Sequence, residues 1–186
     1  MVECGYSVTQ SIVLKSSTNS SSTPLPPRPV ILSFDDGWSS QYAYAFPILK
    51  KYGYPATFFV FTNAIGRKGF LTWDNLREFT AAGMTIGDHT RFHPFLTKIT
   101  DPAKLWDEID GSKKVLESRL GVPVNEFAYP FGLYNPGIVS LVKKAGYKSA
   151  RGDVYRSTQS ADHPFELNAM NAPTTLSEFK KKFPAP

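Results

Sequence analysis

Past residue 29 the chain alternates between short apolar runs and longer amphipathic stretches. Residues 30–34 (Val-Ile-Leu-Ser-Phe) and 56–61 (Ala-Thr-Phe-Phe-Val-Phe) are nearly continuous runs of β-branched and aromatic residues. That is the texture of strands buried on both faces. Shorter runs at 84–87, 126–129 and 147–150 read as three further strands. Helical patterns with recognisable ends lie between them. Residues 39–51 open on Ser39 or Ser40, and Pro47 is expected to shorten or distort that helix. Thr72 caps a helix through Ala82, stopped by Gly83. Asp101 and Pro102 start one that runs to about Leu120, with Gly121 past its end; Asn135 starts another, closed by Gly146. Strands alternating with helices predict an α/β fold with a parallel sheet and its chemistry at the strands' C-terminal ends. The units are too few for a complete eight-fold barrel, and no internal repeat is visible.

Upstream the texture differs. Residues 16–29 form a Ser-rich, Pro-punctuated stretch with almost nothing to bury, which reads as a loop or linker. Residues 6–14 carry apolar side chains able to pair or pack locally. The expected division is an N-terminal segment, 1–29, and a domain over 30–186.

Composition narrows the classes. With 186 residues, 41% hydrophobic and 20% charged, the chain is long enough for a core and is neither a disordered acidic tail nor a membrane bundle. No run approaches the roughly 20 apolar residues of a membrane span. Residues 1–5 lack the basic start of a signal peptide. The formal net charge is +5, but no basic run reaches five residues and no nucleic-acid motif accompanies it, so nucleic acid is not an expected partner. Cys4 is the single cysteine, which excludes an intrachain disulfide. Aromatic residues reach 14%, enough for a core and for stacking surfaces in a carbohydrate cleft. There are three histidines, His89, His93 and His163.

Three expected strand ends carry polar residues suited to chemistry. In Ser33-Phe34-Asp35-Asp36-Gly37 two adjacent carboxylates follow a buried strand, where they persist only with a cation, a hydrogen-bond network or solvent. Taken alone, the pair reads equally well as a polar turn with Asp36 capping the next helix. His89-Thr90-Arg91-Phe92-His93 places two histidines at i and i+4, on one face of a helical turn, a spacing that suits one divalent metal. Ordinary surface or core histidines are the alternative, and the position beside the aspartate strand end weighs against it. Phe127-Ala128-Tyr129-Pro130-Phe131-Gly132 ends a third strand, and by itself reads more simply as a structural turn than as an oxyanion site.

In order, residues 33–37, 89–94 and 128–132 resemble the first three motifs of the NodB-like polysaccharide deacetylases, carbohydrate esterase family 4. Residues 44–53 and 162–167 are most similar to the branch that deacetylates the biofilm polymer poly-β-1,6-N-acetyl-D-glucosamine. The resemblance implies a distorted, incomplete (β/α) barrel of mostly parallel strands around one divalent metal held by Asp36, His89 and His93. Zinc is the first expectation, and cobalt, nickel or iron suit the same donors. Asp35 would be the general base for a metal-bound water, the Phe131 amide an oxyanion donor, and Tyr129, Pro130, Phe131 and Gly132 the substrate-binding turn. The expected partner is an amino-sugar polysaccharide met by a monomer outside the cell or at its surface. Peptidoglycan, chitin and xylan are alternative substrates.

Two departures stand out. Most family members carry arginine where this chain has Ala128, to orient the base; Arg151 is a candidate replacement, against the simpler reading of a solvated surface arginine. The histidine that normally protonates the leaving amine has no counterpart before His89. Either the sequence starts downstream of that element, as the likeness of residues 5–8 to a mid-protein segment implies, or His163 is the acid, or the chain is a weakly active or non-catalytic glycan-binding homologue.

Overall fold

The computed structural model describes residues 7–9, 28–155 and 162–184. β1 (Ser7–Thr9) pairs in parallel with β2 (Pro29–Ile31), and most of the Ser/Pro-rich stretch between them lies outside the described residues. The 30–34 run is not one strand buried on both faces: residues 30–31 pair with β1 and only 33–34 enter the main sheet, as a partly exposed edge. With the later apolar runs they build one curled sheet whose six strands follow in chain order. These are β3 (Ser33–Phe34), β4 (Thr57–Val60), β5 (Thr85–Asp88), β6 (Glu126–Ala128), β7 (Ser149–Tyr155) and β8 (Leu167–Ala169). Every neighbouring pair is parallel, so all C-terminal ends open on one rim. Six parallel strands with helical connections make a distorted, incomplete half-barrel.

The helices are α1 (Phe46–Tyr52), α2 (Trp73–Ala81), α3 (Pro102–Trp106), α4 (Ser112–Leu120), α5 (Pro136–Lys144) and α6 (Leu176–Lys182). The end signals of the later helices hold, whereas Ser40 lies in helical conformation and makes no side-chain cap bond. Thr72 forms a reciprocal capping box with Asn75, Asp101 and Asn135 accept from the first turns of α3 and α5, and Gly121 closes α4 with φ 69°. The core forms between sheet and helices. Phe58 is fully buried with its ring 4.2 Å from that of Phe79 and 4.9 Å from that of Phe34. Truncating such a phenylalanine to alanine typically costs about 3–5 kcal/mol.

The differences from expectation have physical reasons. The 39–51 helix carries a π-helical turn, Gln41–Ala45, just ahead of Pro47, which lacks the N–H that a regular turn would use there, and it continues as α1. The long helix after Asp101 carries a π-helical turn at Asp107–Gly111 between α3 and α4. That turn rotates Glu108 and Asp110 inward, and π-turns of this kind concentrate at functional sites. β7 begins two residues later than expected and runs to Tyr155. β8 has three residues and α6 buries none of its side chains, so neither wrote a hydrophobic period into the sequence.

Candidate active site

The rim of C-terminal strand ends gathers the three motifs. After β3, Asp36 and Gly37 both adopt left-handed conformations, φ 69° and 74°. A Cβ at Gly37 would lie 3.0 Å from Cγ1 of Val60, so the turn needs glycine twice over, for its φ and for its close approach to β4. This turn brings Asp36 to the end of β5. There the His89 ring is buried, with Nδ1 2.7 Å from the carbonyl oxygen of Ala128. Burial pushes the His89 pKa down to about 4, so the imidazole is neutral. A neutral ring that donates Nδ1–H to that carbonyl turns its Nε2 lone pair toward the rim. Nε2 of His93 lies 3.1 Å away, and Oδ1 of Asp36 lies 3.7 and 3.5 Å from the two histidine nitrogens. One donor atom from each residue falls within 4.8 Å of the others.

The histidines do not converge on a helical turn, as their spacing predicts. The 89–93 segment is an irregular loop in which Thr90 has φ 74° and His93 φ 57°. Asp36, Thr90, His93 and Phe131 are four of the five non-glycine residues with positive φ among the described residues, and they sit on the three motif loops. Each such conformation costs on the order of 1–3 kcal/mol and persists only where its surroundings over-determine it.

Those surroundings are specific. Asp88 is fully buried and accepts from the Thr90 amide at 2.7 Å, the Ser112 hydroxyl at 2.7 Å and the Tyr147 hydroxyl at 2.5 Å. Burial raises its pKa to about 7, against the lowering effect of these bonds. Glu108, delivered by the π-turn, accepts from the amides of Arg91 and Phe92 at 3.0 and 2.9 Å. Arg91 grips both carboxylate oxygens of Asp107 at 2.6 and 2.7 Å. Sequence reasoning missed this support. Asp88, a carboxylate beside His89 at a strand end, carried the one legible sign of it.

Asp35 has its own frame. Its carbonyl accepts from Nε2 of Gln41 at 2.5 Å, and its carboxylate is hydrogen-bonded by Nη2 of Arg151. Arg151 stands directly across from Ala128 in the β6–β7 register, so the cation absent from position 128 is present one strand over. Its guanidinium rests 4.6 Å above the Phe59 ring. Phe59 fits there because residue 87 is glycine; a Cβ would lie 2.4 Å from the ring.

On the third loop, Tyr129 and Pro130 are buried, with the Tyr129 hydroxyl donating to the carbonyl of Phe165 at 3.1 Å. Phe131, at φ 57° and ψ 14°, turns its ring outward against His93, with centroids 4.7 Å apart, and Gly132 completes the turn. His163 is not brought to this group. It is exposed, on the turn that enters β8, where the next residue's carbonyl accepts from the amide of Ala150. In a parallel sheet that is the side away from the C-terminal rim.

A parallel half-barrel with an Asp-His-His cluster and a paired aspartate on its C-terminal rim defines the NodB-type deacetylase class. The polysaccharide deacetylase family profile matches residues 22–150, and the chain belongs to that family. A Staphylococcus aureus poly-beta-1,6-N-acetyl-D-glucosamine N-deacetylase is 32% identical over 136 residues, 66% of this chain and 47% of that protein. The Streptococcus pyogenes deacetylase PplD, solved in complex with acetate, superposes with a TM-score of 0.81 at 28% identity, over 98% of this chain and 81% of that one. IcaB from Ammonifex degensii superposes with a TM-score of 0.72 at 28% identity, over 80% and 70%. The chain spans less than half the length of the curated relatives it matches.

Proposed function

We propose that this chain removes acetyl groups from N-acetylglucosamine units of a polysaccharide, with poly-β-1,6-N-acetyl-D-glucosamine as the first substrate. The observation that carries the reading is the convergence of Asp36, His89 and His93 beside an Asp35 held by Arg151. The name of the S. aureus relative supports this choice of substrate, and a polysaccharide substrate is in keeping with a reaction outside the cell or at its surface.

The donor set fits a divalent cation. Two imidazoles and one carboxylate converge, and the hydrogen bond from His89 to Ala128 fixes the ring with its second nitrogen free to ligate. Zinc suits these donors, as do cobalt, nickel and iron. Such an ion supplies Lewis acidity, polarising the acetamide carbonyl and lowering the pKa of water toward 7.

The chain's own residues do the rest. Arg151 fixes the Asp35 carboxylate at the rim and Gln41 holds the backbone carbonyl of the same residue, so that the carboxylate takes the proton of the attacking water as general base. The Phe131 N–H, aimed by its left-handed backbone, donates to the oxygen of the tetrahedral intermediate. The leaving amine then needs one proton. Asp35 holds one and stands at the rim, whereas His163 lies on the turn into β8, so the same carboxyl returns it as the C–N bond breaks.

The test is acetate release from β-1,6-linked N-acetylglucosamine oligomers, beside chitin oligomers, peptidoglycan and acetylated xylan, with and without a chelator. Activity that survives metal stripping and Asp36→Ala would overturn the mechanism. Comparing Asp35→Asn with His163→Ala locates the acid, because loss of turnover in the second variant would transfer that role to His163.

A further inference from the structure

The two oxygens of the Asp36 carboxylate have different neighbours. Oδ1 faces the histidines, 3.7 Å from Nε2 of His89 and 3.5 Å from Nε2 of His93. Oδ2 accepts a hydrogen bond from Nε1–H of Trp38 at 3.2 Å. The indole that gives this bond is held by the backbone on both sides. Trp38 stands opposite Phe70 in an antiparallel bridge, where the Ser39 amide donates to the Gly69 carbonyl at 2.9 Å and the Leu71 amide to the Gly37 carbonyl at 2.8 Å. Residues opposed between two such bonds bring their side chains close, and here the two rings stack with centroids 4.5 Å apart. Next to them Leu71 is buried, and Phe61 meets Phe70 edge-on at 5.5 Å. The donor is thus anchored to the segment after β4, while its acceptor sits on the left-handed turn after β3.

We infer that Trp38 is a positioning residue that makes Asp36 a one-oxygen ligand: its N–H holds Oδ2 back, and Oδ1 alone reaches an ion shared with His89 and His93. This rests on the cation that the deacetylase reading places among those three residues. The chemistry of the donor accounts for the residue type. An indole N–H donates and offers no lone pair, so it orients a carboxylate without competing for the ion. A histidine or a carboxylate at residue 38 would itself ligate. The donor is also neutral. Arg151 gives Asp35 a charged hydrogen bond, which suits a base, but the same charge on Asp36 would stand beside a divalent cation and repel it. The consequence is an open site. A carboxylate bound through both oxygens takes two positions on the ion. Held to one, Asp36 and two imidazoles supply three donors and leave room for water and the acetamide oxygen, as catalytic centres of this type require.

The experiment uses the intact chain with cobalt(II) as the spectroscopic probe. Trp38→Phe keeps a ring to stack on Phe70 and removes the N–H, and far-ultraviolet circular dichroism shows whether the fold is intact. Cobalt in wild type should give the strong visible absorption of a low coordination number. In Trp38→Phe the released Oδ2 joins the ion, and the band should lose intensity. The second readout is acetate release from the β-1,6-linked N-acetylglucosamine pentamer by the zinc-loaded proteins. There kcat should fall by about tenfold, the lower end of what loss of an outer partner costs, while KM stays within about a factor of two. An unchanged cobalt band, or a loss confined to KM, would overturn the positioning role and leave the deacetylase reading standing. A weakened band in the variant, with no acetate release by wild type, would keep the positioning role and overturn the deacetylase reading. Equal cobalt binding by wild type and Asp36→Ala would remove both.

Discussion

Arg151 on β7 donates to the carboxylate of Asp35, 116 residues earlier in the chain, and does so from the position paired with Ala128. A cation thus reaches Asp35 from the strand beside the one that carries Ala128. Arg151→Ala should lower kcat by about a hundredfold, the usual contribution of a well-placed general base, with zinc content unchanged. Arg151→Lys should recover part of it, since an ammonium restores the charge but not the planar guanidinium lying on Phe59. Single-turnover acetate release with metal analysis checks both.

Glu108 supports the loop of the proposed metal ligands without joining their cluster. Its carboxylate accepts from the amides of Arg91 and Phe92, between His89 and His93, and so fixes a loop whose backbone is strained at Thr90 and His93. Glu108→Ala should weaken zinc binding by about tenfold to a hundredfold, as loss of outer partners typically does. Glu108→Gln keeps an acceptor oxygen and should lose less. Competition against a coloured chelator measures the difference, with circular dichroism to show that the fold is intact.

Much of this architecture was legible in the sequence, and the limits were physical. Strands β4 and β6 announced themselves because every residue is buried, and the caps at Thr72, Asp101 and Asn135 because their geometry is local. Asp35, Asp36, His89 and His93 were visible as chemistry-bearing residues at expected strand ends. The convergence of the histidines was expected from helical periodicity, yet a loop with two left-handed residues achieves it, and no periodicity encodes such a loop. Glu108, Ser112 and Tyr147 were invisible because their contacts join the β5 end to the π-turn, α4 and the segment just before β7, and pairings at that separation leave no local pattern; only Asp88, beside His89, hinted at them. Arg151 lay between: the empty position at Ala128 called for a cation, and only the sheet register selects which one.

Asp88 should make stability fall with rising pH. Its ordinary value of 3.8 is raised to about 7 by burial, so between about pH 4 and 7 the native state keeps a proton that the unfolded chain has lost. Protonation therefore favours folding, and stability declines across that window and levels off above it. Asp88→Asn cannot ionise and should lose that slope, gaining on wild type by a few kcal/mol between pH 5 and pH 8 in metal-free protein. Thermal melts of the two proteins at both pH values test this, because contributions from all other titrating groups cancel in the difference. A parallel pH dependence in both would exclude Asp88 as its source.

Gly87 reaches the base through two packed contacts. In the middle of β5 it has no side chain, and the Phe59 ring of β4 fills the space, with the Arg151 guanidinium lying over that ring. A methyl group at residue 87 would lie 2.4 Å from Cδ1 of Phe59, so the ring must move, and the cation resting on it moves too. Gly87→Ala should therefore behave as a mild Arg151 variant. We expect kcat to fall by about tenfold, zinc affinity to stay within a factor of a few because His89 and His93 keep their supports, and stability to drop by about 1–3 kcal/mol. The discriminating measurement is the double variant with Phe59→Leu, which clears the space. If the methyl acts through the ring, stability returns while kcat stays low, since the stacking surface for Arg151 has gone. Recovery of kcat in the double variant would show that Phe59 does not position Arg151.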